Sequence, residues 1–425
     1  MALKVCKLVH VSVENGKTMQ SNKFYNMTEQ SDGTFKVEYG RVGKNPQTET
    51  YPMHLWDKKL REKTGVKGYR DVTTLFVETV QTDTTTNTPV AQKQVSIKNH
   101  SIKSLFDDLM GFANKSIQTN YKVSQDAVTQ AQVDEAQRFV DNIAKSLKIG
   151  CNIKQLNDDL LQLYIVIPRE MKDVRKHLFN PVTDKSSLEI AQKLIANEQD
   201  TLDTMAGQVK LIQQQKEATL NAGTKQDVPT ETDILTQMGL EVVECDSKEV
   251  DMIKKMMGPN SNQFRKAFKL INSKTQSKFS NCVSKAKNKA TEMFWHGSRN
   301  ENWFNIIQTG LLIRPAGAIH SGSMFGDGIY GANKAQKSIG YTSSRGSYWA
   351  NGNSSKAYLA LFDFHIGNQK HITHHTNDCY SLNKSKMERE GFDSLYAHGG
   401  ADLRNDEFIV YDSNQVTIKY IIEIS

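Results

Sequence analysis

The chain of 425 residues contains no run of ~18 apolar residues, so nothing in it reads as a membrane-crossing helix. Cysteine is sparse as well. The five thiols, Cys6, Cys151, Cys245, Cys282 and Cys379, lie far apart and form no CxxC pair, which argues against a zinc finger and against a disulfide framework. The opening Met1-Ala2-Leu3-Lys4-Val5 lacks the apolar region of a secretory signal. A soluble protein of a reducing, intracellular compartment is therefore expected, with no membrane partner.

What is present suits a folded protein. With 38% hydrophobic and 24% charged residues the chain can bury a core, and its length suggests two to four domains. The formal net charge of +7 permits contact with nucleic acid without demanding it. That charge is unevenly spread. Residues 1–80 hold thirteen Lys and Arg against nine Asp and Glu, whereas residues 246–291 hold eleven against three. The plain reading of the second block is a solvated helix face.

Three folded blocks separated by two polar stretches fit the pattern. In residues 1–80, Phe35, Val37 and Tyr39 alternate with Lys36 and Glu38 behind an Asp32-Gly33 turn, which predicts strands. Residues 24–27 supply the partner strand, a helix carries Met53, Trp56 and Leu60 and stops at Gly65, and Leu75-Phe76-Val77 is expected to close the sheet. Residues 81–96 read as a linker. Residues 97–212 are helical: Ile102, Leu105, Phe106 and Leu109 share one face, and Ala136, Phe139, Val140, Ile143 and Leu147 share another that ends at Gly150. A third helix over 157–167 stops at Pro168, and Ser186 with Glu189 has capping-box spacing at the head of a fourth. Residues 213–230 read as a second linker. Residues 231–425 are mixed and mostly strand-like, with 357–362 the clearest buried strand.

Two constellations are set aside. Gly326-Asp327-Gly328-Ile329-Tyr330-Gly331 matches GxGxxG, but no strand precedes it and no acid follows at the required distance. Its glycines are expected instead to let the backbone approach a flat ligand. His365, His371, His374 and His375 cluster without an HExxH pattern and without a Cys or carboxylate at ligand spacing, so an exposed loop and no metal are expected.

The informative set is His296-Gly297-Ser298-Arg299, then Met324 to Tyr330, then Ser338-Ile339-Gly340-Tyr341, then Asn405-Asp406-Glu407-Phe408-Ile409-Val410-Tyr411-Asp412. An exposed His-Gly-Ser turn offers an imidazole and free backbone groups. Two tyrosines and a serine can sandwich and hydrogen-bond an aromatic carboxamide. One carboxylate can hold a ribose hydroxyl and stabilise a developing cation.

Taken in order, these segments resemble the poly(ADP-ribose) polymerase family, in its DNA-dependent branch, over nearly the whole chain. Residues 231–425 resemble the family's ADP-ribosyltransferase domain. Residues 97–212 resemble its helical regulatory domain through Leu160 to Pro168, and residues 1–80 resemble a WGR domain through Tyr39-Gly40-Arg41-Val42-Gly43 and Gly68-Tyr69-Arg70-Asp71. The resemblance implies a multidomain α+β protein: a small mostly-β domain, an all-α bundle and a mixed α+β catalytic domain with antiparallel sheets.

The resemblance also implies an NAD+ ADP-ribosyltransferase that needs no metal. His296 would bond the adenosine-side ribose, with Ser298 beside it. Tyr330 and Tyr341 would pack on the nicotinamide, Gly297 and Ser338 would hold its carboxamide, and Glu407 would bond the nicotinamide ribose and polarise the acceptor hydroxyl. His296, Tyr330 and Glu407 form the expected catalytic triad. Tyr39 and Arg41 would contact DNA nicks or ends, with Arg41 also reaching the helical block, and DNA would loosen a helical domain that otherwise blocks NAD+. Acceptor proteins, the chain itself included, are the expected partners of a monomer that works in a nucleus or a bacterial cytoplasm. Asp327 stands where that branch commonly has lysine, Tyr39 replaces the tryptophan of the WGR signature, and the stretch between Tyr380 and Asn405 is short. A mono-ADP-ribosyltransferase and a DNA-binding scaffold with an inactive transferase domain are the alternative expectations.

Overall fold

The structure, a computed structural model, describes residues 3–13, 20–76, 97, 99–121, 128–149, 152–183, 185–222, 234–313, 324–344 and 354–425. They fall into two compact units. The first gathers the described residues up to Phe76 together with Lys115–Lys210, and the second gathers the rest. Residues 81–96, Gly150, Cys151 and residues 223–230 of the expected second linker lie outside the described residues.

In the first unit, β1 (Val5–Val13), β2 (Gln20–Glu29), β3 (Thr34–Arg41), β4 (Gln47–Pro52) and β5 (Arg70–Asp71) form an antiparallel sheet in the order β4-β3-β2-β1-β5. Alternation dictates its two faces. Leu8, Tyr25, Met27, Phe35 and Val37 point to one side and close on Trp56, the first residue of α1 (Trp56–Thr64). Val9 and Val11 point to the other and join a helical core. Leu75 and Phe76 lie in the short helix α2 (Thr73–Phe76), not in a closing strand, because Thr73 is anchored by Asp71 and turns the chain before a ladder forms; β5 closes the sheet instead.

Four helices follow: α3 (His100–Tyr121), α4 (Gln130–Ile149), α5 (Ile153–Val166) and α6 (Lys185–Ala222). The apolar faces of α4, α5 and α6 bury Val140, Ile143, Leu160, Leu163 and Ile195 together. Ser186 lies inside α6 rather than at its cap, and residues 213–222 are helical, not linker. Between α5 and α6, the Arg169 guanidinium makes a buried two-point ion pair with Glu198 at 2.9 and 2.8 Å.

The second unit contains α7 (Ile234–Met238), β6 (Leu240–Glu244), α8 (Ser247–Met257), β7 (Phe264–Asn272), α9 (Ser273–Lys285), β8 (Thr291–Gly297), α10 (Asn300–Thr309), β9 (Ile329–Gly331), α11 (Ala335–Ile339), β10 (Ala357–His365), β11 (Gln369–Ile372), α12 (Lys384–Arg389), β12 (Ser394–Ala397), β13 (Glu407–Val410) and β14 (Val416–Ile424). One antiparallel sheet runs β6-β7-β14-β10-β8, and a second runs β11-β12-β13-β9 with only β11 and β12 parallel. The interior strand β10 is apolar almost throughout because both its faces are covered. Tyr358, Ala360, Phe362 and Phe364 meet Trp303 and Phe304 of α10 and Leu105 and Phe106 of α3, whose residues up to Asn114 belong to this unit. Leu359 and Leu361 meet Ile253 and Met257 of α8 and Ile339 of α11. Asp108 of α3 accepts from Lys356 Nζ at 2.7 Å and from the Tyr358 hydroxyl at 3.3 Å, so part of the expected helical block is built into this unit.

Candidate active site

Three short strands converge here because their aromatic and backbone groups find one another. Phe294 of β8 stacks on Phe408 of β13 with ring centroids 4.0 Å apart. Trp295 exchanges backbone hydrogen bonds of 2.8 and 3.0 Å with Ala332, just beyond β9. Tyr330 of β9 pairs with Ile409 of β13. His296, Tyr330 and Glu407 are thereby carried on neighbouring strand ends.

His296 lies within strand β8, one residue before its end, rather than standing in an exposed turn. Its ring is half-buried, edge-on to Trp303 and Phe362. Nδ1 lies 3.1 Å from the Tyr330 carbonyl oxygen. A carbonyl only accepts, so Nδ1 carries the proton and Nε2 is left as an acceptor for a ligand hydroxyl. Burial holds the imidazole below the usual histidine range, with the bond to Tyr330 opposing that shift. The unfolded chain therefore binds a proton that the native ring refuses once the pH falls below about 6.5. Wild type should lose more thermal stability than His296→Asn between pH 7.5 and pH 5.5. A Tm difference between the two proteins that stays flat across that range would contradict the assignment.

Gly297 lies directly against Ser338. A Cβ at Gly297 would sit 1.9 Å from the Ser338 carbonyl oxygen, so only glycine allows the approach. Ser338 is buried in α11, and the Tyr341 amide donates to its carbonyl at 3.1 Å. Tyr341 itself is exposed, as a ring that receives a flat ligand must be. Ser298 accepts from Asn302 Nδ2 at 3.3 Å at the head of α10. The Tyr330 hydroxyl donates to Gly326 O at 2.9 Å and accepts from the Phe325 amide at 3.0 Å, which pins the glycine-rich segment. Those glycines press against the chain itself. A Cβ at Gly326, where φ is 78°, would meet the Leu382 carbonyl at 2.0 Å, and one at Gly328 would meet Ile409 at 2.4 Å.

Glu407 begins β13, paired with Ala397 of β12, and its carboxylate is buried. Oε1 accepts from Lys337 Nζ, whereas Oε2 is buried without a hydrogen-bond partner among the described residues. A buried carboxylate oxygen left unmet is costly unless a ligand meets it. Burial pulls the Lys337 ammonium below the usual lysine range, and Glu407 opposes that shift. Loss of water around its hydroxyl, then the Glu407 charge, pushes Tyr341 up although part of its ring is exposed, and burial pushes Tyr330 up as well. Both phenols therefore stay neutral at physiological pH. Sequence reasoning assigns Lys337 no role; the only signal for it is its place directly before Ser338. It quotes Asp406 in the last segment without giving it a role; that carboxylate is held by the Gly399 amide at 2.8 Å, Asn333 Nδ2 at 2.9 Å and the Tyr396 hydroxyl at 3.1 Å, fixing the turn that delivers Glu407.

The remaining sequence candidates lie elsewhere. Tyr39 and Arg41 belong to the first unit. The Tyr39 hydroxyl donates to Glu49 at 2.7 Å, and Arg41 donates to the carbonyls of Met171 and Lys172 at 3.3 and 2.9 Å, tying the sheet to the segment after α5. The histidines do not share one exposed loop. His365 is buried at the end of β10 with Nε2 bonded to Asn288 O at 2.7 Å, because the apolar strand carries it inward. His371 sits on β11 and meets His398 at 2.8 Å. Among the described residues no group of three His, Cys, Asp or Glu is placed to hold a metal, and no helix is long and apolar enough to cross a membrane. The four described cysteines are free thiols.

Residues 247–425 match the poly(ADP-ribose) polymerase catalytic domain. The poly [ADP-ribose] polymerase-like protein 100L of Invertebrate iridescent virus 6 is 31% identical over 179 residues, covering 41% of this chain and 91% of that protein. The chain belongs to the poly(ADP-ribose) polymerase family. Protein 101L of the same virus is 31% identical over 205 residues, covering 48% of this chain and 77% of its own length. The poly [ADP-ribose] polymerase of Drosophila melanogaster is 26% identical over 378 residues, which is 78% of this chain but only 34% of the fly protein. This polymerase-family chain is an NAD+ ADP-ribosyltransferase, and NAD+ is the substrate of its catalytic domain.

Proposed function

We propose that this enzyme transfers ADP-ribose from NAD+ to protein side chains, extends it into polymer with release of nicotinamide, and is stimulated by DNA nicks or ends acting on the first unit. The observation that carries the reading is Glu407, with one carboxylate oxygen on Lys337 and the other buried and unmet.

Physical chemistry supplies the mechanism. The bond from ribose to positively charged nicotinamide breaks through an oxocarbenium-like transition state. Gly297 and Ser338 hold the carboxamide while Tyr330 and Tyr341 flank the ring, so the leaving group stays fixed as the bond lengthens. The Nε2 atom of His296 accepts from the adenosine-side ribose. Glu407 accepts from the nicotinamide ribose 2′-hydroxyl, and its charge stabilises the forming cation more than the ground state. The same carboxylate polarises the incoming hydroxyl. For a protein acceptor that hydroxyl starts a chain, and for an ADP-ribose acceptor it lengthens one.

In the first unit, Tyr39 offers a ring to a sugar or base and the surrounding cations meet phosphates. Arg41 supports the link from DNA to the helices, since its guanidinium is spent on Met171 and Lys172 carbonyls. Labelled NAD+ incubated with the protein, with and without nicked DNA, should give a ladder of modified protein that strengthens several-fold with DNA. Arg41→Ala should weaken the stimulation and leave the DNA-free rate unchanged. A single shifted band would remove elongation, and equal labelling with and without DNA would remove the regulatory part.

A further inference from the structure

Behind the strand that carries Glu407, four rings stack in a column. Phe294 of β8 lies on Phe408 of β13, Phe408 lies 4.4 Å from the ring of Tyr396, and Tyr396 lies 4.0 Å from that of His398. At the outer end His398 is hydrogen-bonded to the exposed His371 at 2.8 Å. Two rings this close and this nearly parallel to a third cannot share one of its faces, so Tyr396 is sandwiched between His398 and Phe408. It stands in β12 directly opposite Phe408. A phenol held on both faces has its hydroxyl aimed in one direction.

That direction is Asp406. The Tyr396 hydroxyl donates to its Oδ2 at 3.1 Å, beside the donation from Asn333. Tyr396 therefore grips the chain on both sides of Glu407, residue 406 through its hydroxyl and residue 408 through its ring. Alternation along β13 turns the Phe408 side chain away from the face that carries Glu407, so the ring acts from the far side of the strand. Burial would lift the Asp406 carboxyl, but the donors from Gly399, Asn333 and Tyr396 hold it below the usual carboxylate range. It stays charged, and its bonds to them are charge-assisted.

Glu407 must turn one oxygen to Lys337 and leave the other for a ribose hydroxyl, so a small tilt of its backbone misplaces both. An ordinary packing tyrosine would need only its ring, and phenylalanine would serve as well. A hydroxyl spent on the residue directly before the carboxylate is what packing does not require. We infer that Tyr396 is a positioning residue for the transfer step, fixing the chain at 406 and 408 so that Glu407 faces the nicotinamide ribose. The inference rests on the role given to Glu407 above.

Initial rates of nicotinamide release by the full-length protein test it. Tyr396→Phe keeps the ring and loses the hydroxyl, so kcat should fall about ten-fold while the KM for NAD+ stays near wild type. Tyr358→Phe is the control: its hydroxyl donates to another carboxylate of the same unit, Asp108, at 3.3 Å, and its loss should leave turnover unchanged. Asp406→Ala should also be slow, and Tyr396→Phe/Asp406→Ala should be no slower than Asp406→Ala alone, because the hydroxyl works only through that carboxylate. A full rate in Tyr396→Phe, an equal loss in Tyr358→Phe, or losses that multiply in the double variant would overturn the inference. Glu407→Gln, assayed alongside, separates the two readings. If it is slow while Tyr396→Phe is not, the positioning role alone falls; if it keeps the wild-type rate, the role of Glu407 falls and takes this inference with it.

Discussion

Glu407→Gln should abolish polymer formation and lower the rate of nicotinamide release by about 10²–10³, with the KM for NAD+ little changed. The amide keeps the shape of the carboxylate and an acceptor for Lys337, but it removes the negative charge that matters most as the ribose becomes cationic. Because burial pulls the Lys337 proton affinity down and Glu407 opposes that pull, the variant should also let Lys337 lose its proton more easily. Single-turnover release of nicotinamide, read beside the product ladder, separates bond cleavage from elongation. A ladder of unchanged length would refute the role given to this carboxylate, and a matching Tm would exclude unfolding as the cause of any loss.

Gly297→Ala should be nearly as damaging, for a different reason. The added methyl would lie 1.9 Å from the Ser338 carbonyl oxygen and 2.8 Å from its carbon, both backbone atoms that cannot swing away. Strand β8 and helix α11 must part by about 1 Å, and misplacement on that scale costs about 10²-fold in kcat/KM. Since Ser338 and Tyr341 share the displaced turn, NAD+ affinity should fall with the rate. Gly111→Ala provides the contrast: nothing lies within 4 Å of its added methyl, and it sits within α3. That variant should keep full activity and gain about 0.5–1 kcal/mol of stability from the lower backbone entropy of the unfolded chain. If Gly297→Ala matched wild type in both titration calorimetry with NAD+ and turnover, the close packing of β8 on α11 would have no part in substrate binding.

Much of the architecture is legible along the chain because its signals are local. The alternation of Phe35, Val37 and Tyr39, the apolar run of β10 and the helical faces of α4 and α5 each need only neighbouring residues, and the elements lie where the periods predict them. The expectations that differ from the structure depend on distant partners. Leu75 and Phe76 have strand-forming neighbours, but Asp71 holds Thr73 and bends the chain into α2. Ser186 and Glu189 have the right spacing for a cap, yet α6 already begins at Lys185. The histidines close in sequence are parted by strand geometry, one buried on β10 and another paired with His398, which is 27 residues away.

Composition and periodicity thus determine by themselves that the chain is a folded, multi-element protein, and the ordered segments from His296 to Asp412 carry its resemblance to the ADP-ribosyltransferases. Those properties are written in residue type and short-range spacing. Only tertiary structure decides that His296 holds its proton on Nδ1, that Gly297 touches Ser338, and that Lys337 occupies one oxygen of Glu407 and leaves the other open. Each of these depends on atoms brought together from separate strands and helices, and their hydrogen bonds, burial and charge exist only once the sheets have closed.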